Sequence, residues 1–259
     1  MNADYMNYFD FKECTALVAG GGSGLGLEIT KGLLAYGCKV AIFGRDEERI
    51  QSVASEFSQK SDGRCAGFVA DIADEQSVQE LTRKVTEYLG GKVNIAINSA
   101  GFNIRNPIEN VSLAEWHKVL ATNLTGGFLF ARAMLPLLKT AEFGRLINVV
   151  SIFGSHSFRD RVSYASSKGG LLQLTRTLAI EWASHSITVN SISPGPFLTD
   201  INKAILNNPE AHAEFCRNIP LGRFGNPSEV VTAALFLASP HSSFVTGADI
   251  IVDGGWTVT

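Results

Sequence analysis

Four residues of this chain have the types and spacing to move a proton beside a carbonyl: Asn123, Ser151, Tyr164 and Lys168. Tyr164 and Lys168 stand four apart, so on a helix they share a face. An ammonium placed there can lower the pKa of a phenol, ordinarily ~10, toward the range useful for general acid–base work. Upstream, Ala19-Gly20-Gly21-Gly22-Ser23-Gly24-Leu25-Gly26 joins an apolar run to a helical pattern. Glycines at 20, 24 and 26 permit a tight turn and let backbone approach a pyrophosphate, which then rests on a helix N-terminus. Their spacing is G-x-x-x-G-x-G, not the commoner G-x-G-x-x-G. The two devices together point to hydride transfer between a nicotinamide and an alcohol/carbonyl pair.

Those residues need a frame, and strand and helix patterns alternate from end to end. Apolar runs over 15–19, 40–43, 64–69, 93–98, 145–150, 188–192 and 250–252 suit buried parallel strands. Helical spacing covers 25–36, with Gly37 as its C-cap, then 46–58, 75–88, 113–138, 164–183 and 228–238. Ser193-Pro194-Gly195-Pro196 breaks the alternation and opens a polar, helical insertion at about 199–218. Parallel pairing with right-handed crossovers gives an α/β fold: one doubly wound Rossmann domain over 1–259, with a mostly parallel seven-stranded sheet and helices on both faces. No linker or low-complexity segment divides it.

Composition excludes several other roles. The 259 residues are 45% hydrophobic, enough for one large core, and the net charge of −3 offers no basic footprint for nucleic acid. No apolar run reaches transmembrane length. Residues 1–10 lack a basic segment followed by an apolar one, so no signal peptide is expected and the cytoplasm is the expected location. Cys14, Cys38, Cys65 and Cys216 show no CxxC spacing and read as reduced thiols. The histidines form no HExxH pair, so no protein-held metal is expected.

The choice of nicotinamide follows from the end of the second strand. An acid there binds the ribose hydroxyl of NAD, whereas arginine accommodates the extra phosphate of NADP. This chain has Gly44-Arg45, which favours NADP(H). Asp46, Glu47 and Glu48 could neutralise that arginine, and NAD(H) stays possible.

The chain resembles the short-chain dehydrogenase/reductase family over nearly all its length. The resemblance rests on the glycine turn, Asp71, Asn98-Ser99-Ala100-Gly101, Asn123, Ser151, Tyr164-Ala165-Ser166-Ser167-Lys168, Pro194-Gly195, Thr199, Val245-Thr246-Gly247 and Asp253-Gly254-Gly255, in that order. It implies that Tyr164 exchanges a proton with the substrate oxygen and that Ser151 orients that oxygen. Lys168 would bind the nicotinamide ribose, and Asn123 would hold a water that continues the relay to solvent. It also implies cofactor contacts from Gly20, Gly22, Ser23, Gly24, Leu25, Gly26, Arg45, Asp71 with Ile72 at the adenine, and Asn98, Ala100 and Gly101 near its ribose. Pro194, Gly195, Phe197 and Thr199 would fix the carboxamide, with transfer of the pro-S hydride. Three positions depart from the family pattern: Ala19 before the first glycine, Ser99 within the asparagine motif, and Val150 before the catalytic serine. All three bear on local hydrogen bonding more than on the reaction.

The substrate pocket is expected from the loops after 98 and 151 and from the insertion. Those segments supply Phe102, Asn103, Arg105, Phe153, His156, Phe158, Arg159, Arg161, Phe197, Asn202 and Lys203. With Ser151, the residues expected on substrate are Phe102, Arg105, Phe153, Arg159 and Phe197. Arginines suit a carboxylate or phosphate, although Arg159 and Arg161 could equally decorate a solvated rim or pair across subunits. Asn103-Ile104-Arg105-Asn106-Pro107 and the segment 194–199 are similar to a gluconate 5-dehydrogenase-like branch, while the tail from Pro220 is similar also to 3-oxoacyl-carrier-protein reductases. The expected substrate is a polyol, a sugar acid or a similar polar ketone. A 3-oxoacyl-carrier-protein reductase and a catalytically silent cofactor-binding regulator are the alternatives. Apolar residues on the helices over 113–138 and 164–183 (Leu120, Leu124, Phe128, Leu129, Leu171, Leu172, Leu174, Leu178) exceed one sheet-facing stripe, and with the resemblance they imply a homotetramer.

Overall fold

The computed structural model describes residues 8–258; the remaining residues, including most of the stretch read as lacking a leader, lie outside the described part. Strands β1 (Thr15–Ala19), β2 (Lys39–Gly44), β3 (Cys65–Val69), β4 (Ile95–Asn98), β5 (Gly144–Val149), β6 (Ile187–Pro194) and β7 (Asp249–Val252) form one sheet in the order β3-β2-β1-β4-β5-β6-β7. Every pairing is parallel, so the sheet is wholly and not just mostly parallel.

The helices are α1 (Gly24–Ala35), α2 (Glu47–Lys60), α3 (Glu75–Leu89), α4 (Leu113–Leu120), α5 (Gly126–Lys139), α6 (Val162–Trp182), α7 (Lys203–Leu206), α8 (Pro209–Arg217) and α9 (Val231–Ala238). Side chains alternate across each strand, and this splits the core in two. Ala16 and Val18 of β1 face Ile29 and Leu33 of α1, with Ile50 of α2 and Ala234 of α9 in the same cluster. Leu17 and Ala19 face the other way, toward Val85 of α3, Phe130 of α5 and Trp182 of α6. Both faces of the sheet are therefore buried, which explains why its strands read as continuous apolar runs.

The strand order reverses between β1 and β4. Successive crossovers diverge there and leave a crevice at the carboxyl ends. Register sets Ala19 beside both Phe43 and Asn98, so the glycine turn and the loop after β4 leave the sheet together.

The sequence reads a single helix over 113–138. The chain instead runs α4 into α5 through one π turn, Ala121–Thr125, and Asn123 sits within it. The helix expected over 228–238 begins as a 3-10 turn, Pro227–Val230, before α9. The insertion comprises α7 and α8, whose Ile205 and Phe215 form a small cluster with Phe224, against which Phe158 and Trp256 pack. Leu171 and Leu172 are buried in another cluster, joined by Leu124 and Leu174, so part of the apolar surplus packs within the chain. No helix among the described residues is long and apolar enough to cross a membrane.

Candidate active site

The N-terminus of α1 lacks the side-chain cap that closes several other helices. Asp46, Asp74, Ser112 and Asn208 cap α2, α3, α4 and α8 through side-chain hydrogen bonds. Ser23 caps α1 with no such bond, and no acid occupies the first turn. The first N–H groups of α1 are left open to an external anion. The turn also has no room for side chains where it folds back: a Cβ on Gly26 would come within 2.3 Å of the Gly20 carbonyl oxygen. Gly24 adopts φ +53, a left-handed conformation favouring glycine, and faces Thr199 across the crevice. Exposed backbone donors without competing acid fit the pyrophosphate of a dinucleotide.

Beside this turn lies a cavity of about 250 Å³ walled by Gly20, Gly22, Arg45, Asp71, Ile72 and Ala100, among others. Arg45 Nη1 is 4.0 Å from Asp71 Oδ2, and Asp71 Oδ1 accepts from the Ala73 N–H at 2.9 Å. A second guanidinium, Arg49, also lines this cavity. The sequence reading missed it, although its position four residues after Arg45 in the first turn of α2 carried the signal. Asp46 is occupied as the α2 cap, accepting from the Arg49 N–H at 3.0 Å. Asn98 is placed differently from expectation. It is 1% exposed, its Oδ1 accepts from the Ala100 N–H, and its Nδ2 donates to Asn148 within the core. It shapes the turn from beneath, and Gly101 stands in the cavity wall.

A larger cavity of about 500 Å³ continues past the turn and gathers Ser151, Tyr164 and Lys168 with Ser23, Gly24, Leu25, Pro194, Gly195 and Thr199. Ser151 follows β5 by two residues and caps a 3-10 turn, its Oγ accepting from the Phe153 N–H at 3.2 Å. The serine hydroxyl lies beside the Tyr164 phenol in this cavity and acts on it. Burial raises the phenol's pKa, while Ser151 and the charges of Arg161 and Arg105 pull it down. Lys168 lies one turn further along α6, its Nζ donating to the Val149 carbonyl at 2.8 Å and standing 5.8 Å from the Tyr164 ring centre. Burial lowers its own pKa from 10.5 to about 8.

Asn123 is fully buried and its carboxamide is committed to protein partners. Its Oδ1 accepts from the Phe102 N–H at 3.1 Å, and its Nδ2 donates to the Phe102 carbonyl and to Ser167 Oγ, both at 3.0 Å. Ser167 passes the link to the Tyr164 carbonyl at 2.7 Å. The side chain therefore clasps the loop after β4 to α6.

Phe102, Arg105, Phe153 and Phe197 all line the larger cavity, with Phe197 itself 3% exposed. Arg159 does not join them: its Nη2 pairs with Glu214 Oε1 of α8 at 2.6 Å, on an exposed surface. Arg161, which the sequence left undecided, is 6% exposed and forms part of the cavity wall. Among the described residues no three His, Cys, Asp or Glu side chains gather as a metal site.

This geometry agrees with known proteins. A family model described as enoyl-(acyl carrier protein) reductase matches residues 19–257. The chain is 35% identical to a galactitol 2-dehydrogenase (L-tagatose-forming) of Cereibacter sphaeroides, over 98% of this chain and 99% of that protein. It is 34% identical to a 3-oxoacyl-[acyl-carrier-protein] reductase of Aquifex aeolicus, over 93% and 96%. A crystal structure of a gluconate 5-dehydrogenase from Burkholderia cenocepacia, in complex with NADP and tartrate, superposes with a TM-score of 0.93 at 31% identity, covering 98% of this chain and 99% of that one. The chain belongs to the short-chain dehydrogenase/reductase family. It is an NAD(P)-dependent oxidoreductase acting on alcohol and ketone substrates.

Proposed function

We propose that this protein interconverts a secondary alcohol and a ketone on a polar substrate, a polyol, sugar acid or similar compound, with NADP(H) as its cofactor. The observation that carries the chemistry is the buried Tyr164 phenol, set with Ser151 and Lys168 in the wall of the cavity that also receives the open end of α1. When bound, the nicotinamide supplies or accepts the hydride. Tyr164 gives a proton to the carbonyl oxygen during reduction and removes it during oxidation. Ser151 orients that oxygen, and Lys168, near Gly101 and free of a carboxylate partner among the described residues, holds the ribose side of the cavity. Asn123 positions both walls. The α1 turn with Gly20, Gly22, Ser23 and Gly26 takes the pyrophosphate, Asp71 and Ile72 the adenine end, and Thr199 with Pro194 and Gly195 the carboxamide end.

Two guanidinium groups in the wall of the smaller cavity, Arg45 after β2 and Arg49 in α2, with Asp46 engaged as a cap, support NADP(H) over NAD(H). The polyol and gluconate dehydrogenases among the relatives support a polar substrate. Free thiols, three of them buried, suit a reducing compartment, and we place the protein in the cytoplasm as a homotetramer.

Tyr164→Phe tests the assignment. It keeps the ring's packing but removes the transferable proton, so turnover should fall by about 10²–10⁴-fold while NADPH still binds. Near-normal turnover in the Phe variant would remove Tyr164 from the role of acid and base.

A further inference from the structure

Two cationic side chains in the substrate cavity form no ion pair among the described residues. Arg161 precedes α6 as its N-cap residue, three positions before Tyr164, and is 6% exposed. Its Nη1 donates to the Asp160 carbonyl at 3.0 Å, and it makes no ion pair among the described residues. A guanidinium carries five N–H donors, so most of its capacity is unmatched in a place where unmatched charge is costly. The neighbouring Asp160 carboxylate attracts it electrostatically, but that residue is exposed.

Arg105 enters the same cavity from the loop after β4. Its Nη2 donates to the Ile201 carbonyl at 2.8 Å and to Asn202 Oδ1 at 2.9 Å, and among the described residues no carboxylate pairs with it. The two guanidinium groups repel each other, and both act on the Tyr164 phenol. They therefore converge on the point where chemistry is proposed to occur. The acid in the cavity wall, Asp200, is already held by Lys203 at 2.8 Å and Arg49 at 3.8 Å.

A third group is also unanswered. Asn103 Oδ1 is buried in the cavity wall without a hydrogen-bond partner. A carboxamide oxygen is an acceptor, so it calls for a hydroxyl or N–H on whatever fills the cavity.

We infer that the substrate is a hydroxylated carboxylic acid whose carboxylate is bound by Arg161 and Arg105 and whose hydroxyl donates to Asn103. This rests on the dehydrogenase/reductase reading and narrows it, setting the acid apart from the neutral polyol. Guanidinium groups match the planar carboxylate with paired donors. Neutral polyols leave both charges unanswered.

Matched pairs test it: threonate against threitol, xylonate against xylitol and gluconate against glucitol. Calorimetric binding to the protein is measured first, then kcat/KM with NADP⁺. At least one acid should bind and turn over far better than its alditol. Arg161→Gln and, separately, the more exposed Arg105→Gln should reduce the acid-to-alditol ratio of kcat/KM by roughly 10–100-fold, mainly through KM, and weaken acid binding in parallel. Arg161→Lys should recover part of the loss. The ratio is the informative quantity, because any effect on the phenol falls on both substrates alike. If no acid binds, or if the alditols are preferred, or if the ratio survives both Gln variants, the anion site is wrong. If acids bind through Arg161 yet nothing oxidises or reduces the cofactor, the site stands and the proposed reaction fails.

Discussion

At the scale of single residues, burial governs the site's charges. Lys168 has its pKa depressed from 10.5 to about 8 by desolvation. Above pH 10.5 both folded and unfolded chains carry a neutral amine, and burial costs nothing. Between that value and about 8 the unfolded chain holds a proton that the folded one lacks, so stability falls as pH falls; below about 8 the penalty is complete. Lys168→Met is therefore expected to gain stability relative to wild type more at pH 7 than at pH 10, measured by urea unfolding without cofactor. A pH-independent difference would contradict the depressed amine. Cofactor choice is also argued here. Arg45→Ala combined with Arg49→Ala should lower kcat/KM for NADPH by roughly tenfold or more while sparing NADH, and wild type should prefer NADPH. A wild-type preference for NADH overturns that reading.

At the scale of elements, the site depends on how strand ends and helix starts are tied together. Asn123→Ala leaves the Phe102 N–H and carbonyl without their partner, at a cost of about 1–3 kcal/mol, and frees the loop that carries Asn103 and Arg105. We expect a lower melting temperature and a raised KM, with kcat falling less; an unchanged KM would show that the loop holds itself. Much of this frame was legible in the sequence, because buried parallel strands must be apolar on both sides and glycines must mark the turn after β1. The π turn was not legible. One extra residue in a helical turn leaves the apolar spacing of 113–138 nearly intact, so nothing local announces it. Arg161 was ambiguous for another reason. An arginine beside two other charged residues reads as solvated, and the packing of α8 and Phe158 that separates exposed Arg159 from buried Arg161 is tertiary. Helical spacing sets which face Lys168 shares with Tyr164, but that its tip meets the Val149 carbonyl is decided by packing and was not legible.

At the scale of the whole molecule, what is covered and what is exposed make separate predictions. Burial raises the thiols of Cys14 and Cys65 to about 11 and 12 and pushes that of Cys38 well above its ordinary value, whereas Cys216 on α8 is partly exposed. A thiolate reagent at pH 8 should label Cys216 first in the native protein and all four cysteines after unfolding, counted by mass spectrometry. The exposed apolar residues concern assembly. Phe128 on α5 is 44% exposed and Ile180 on α6 is 81% exposed, on helices that cover the same face of the sheet. Ile251, in β7 at the sheet's open edge, is 43% exposed, and Phe244 before it is fully exposed. A bare edge strand with apolar side chains invites pairing, and apolar patches on a helical face invite a second copy. Two independent self-complementary faces on one subunit close into a tetramer of dihedral symmetry. Light scattering at micromolar concentration should give about four times the 27.9 kDa chain mass. Ile180→Glu with Phe128→Glu should reduce it to dimers held through the β7 edge. A wild-type chain that is monomeric, stable and active at that concentration would show that these side chains are simply tolerated by water.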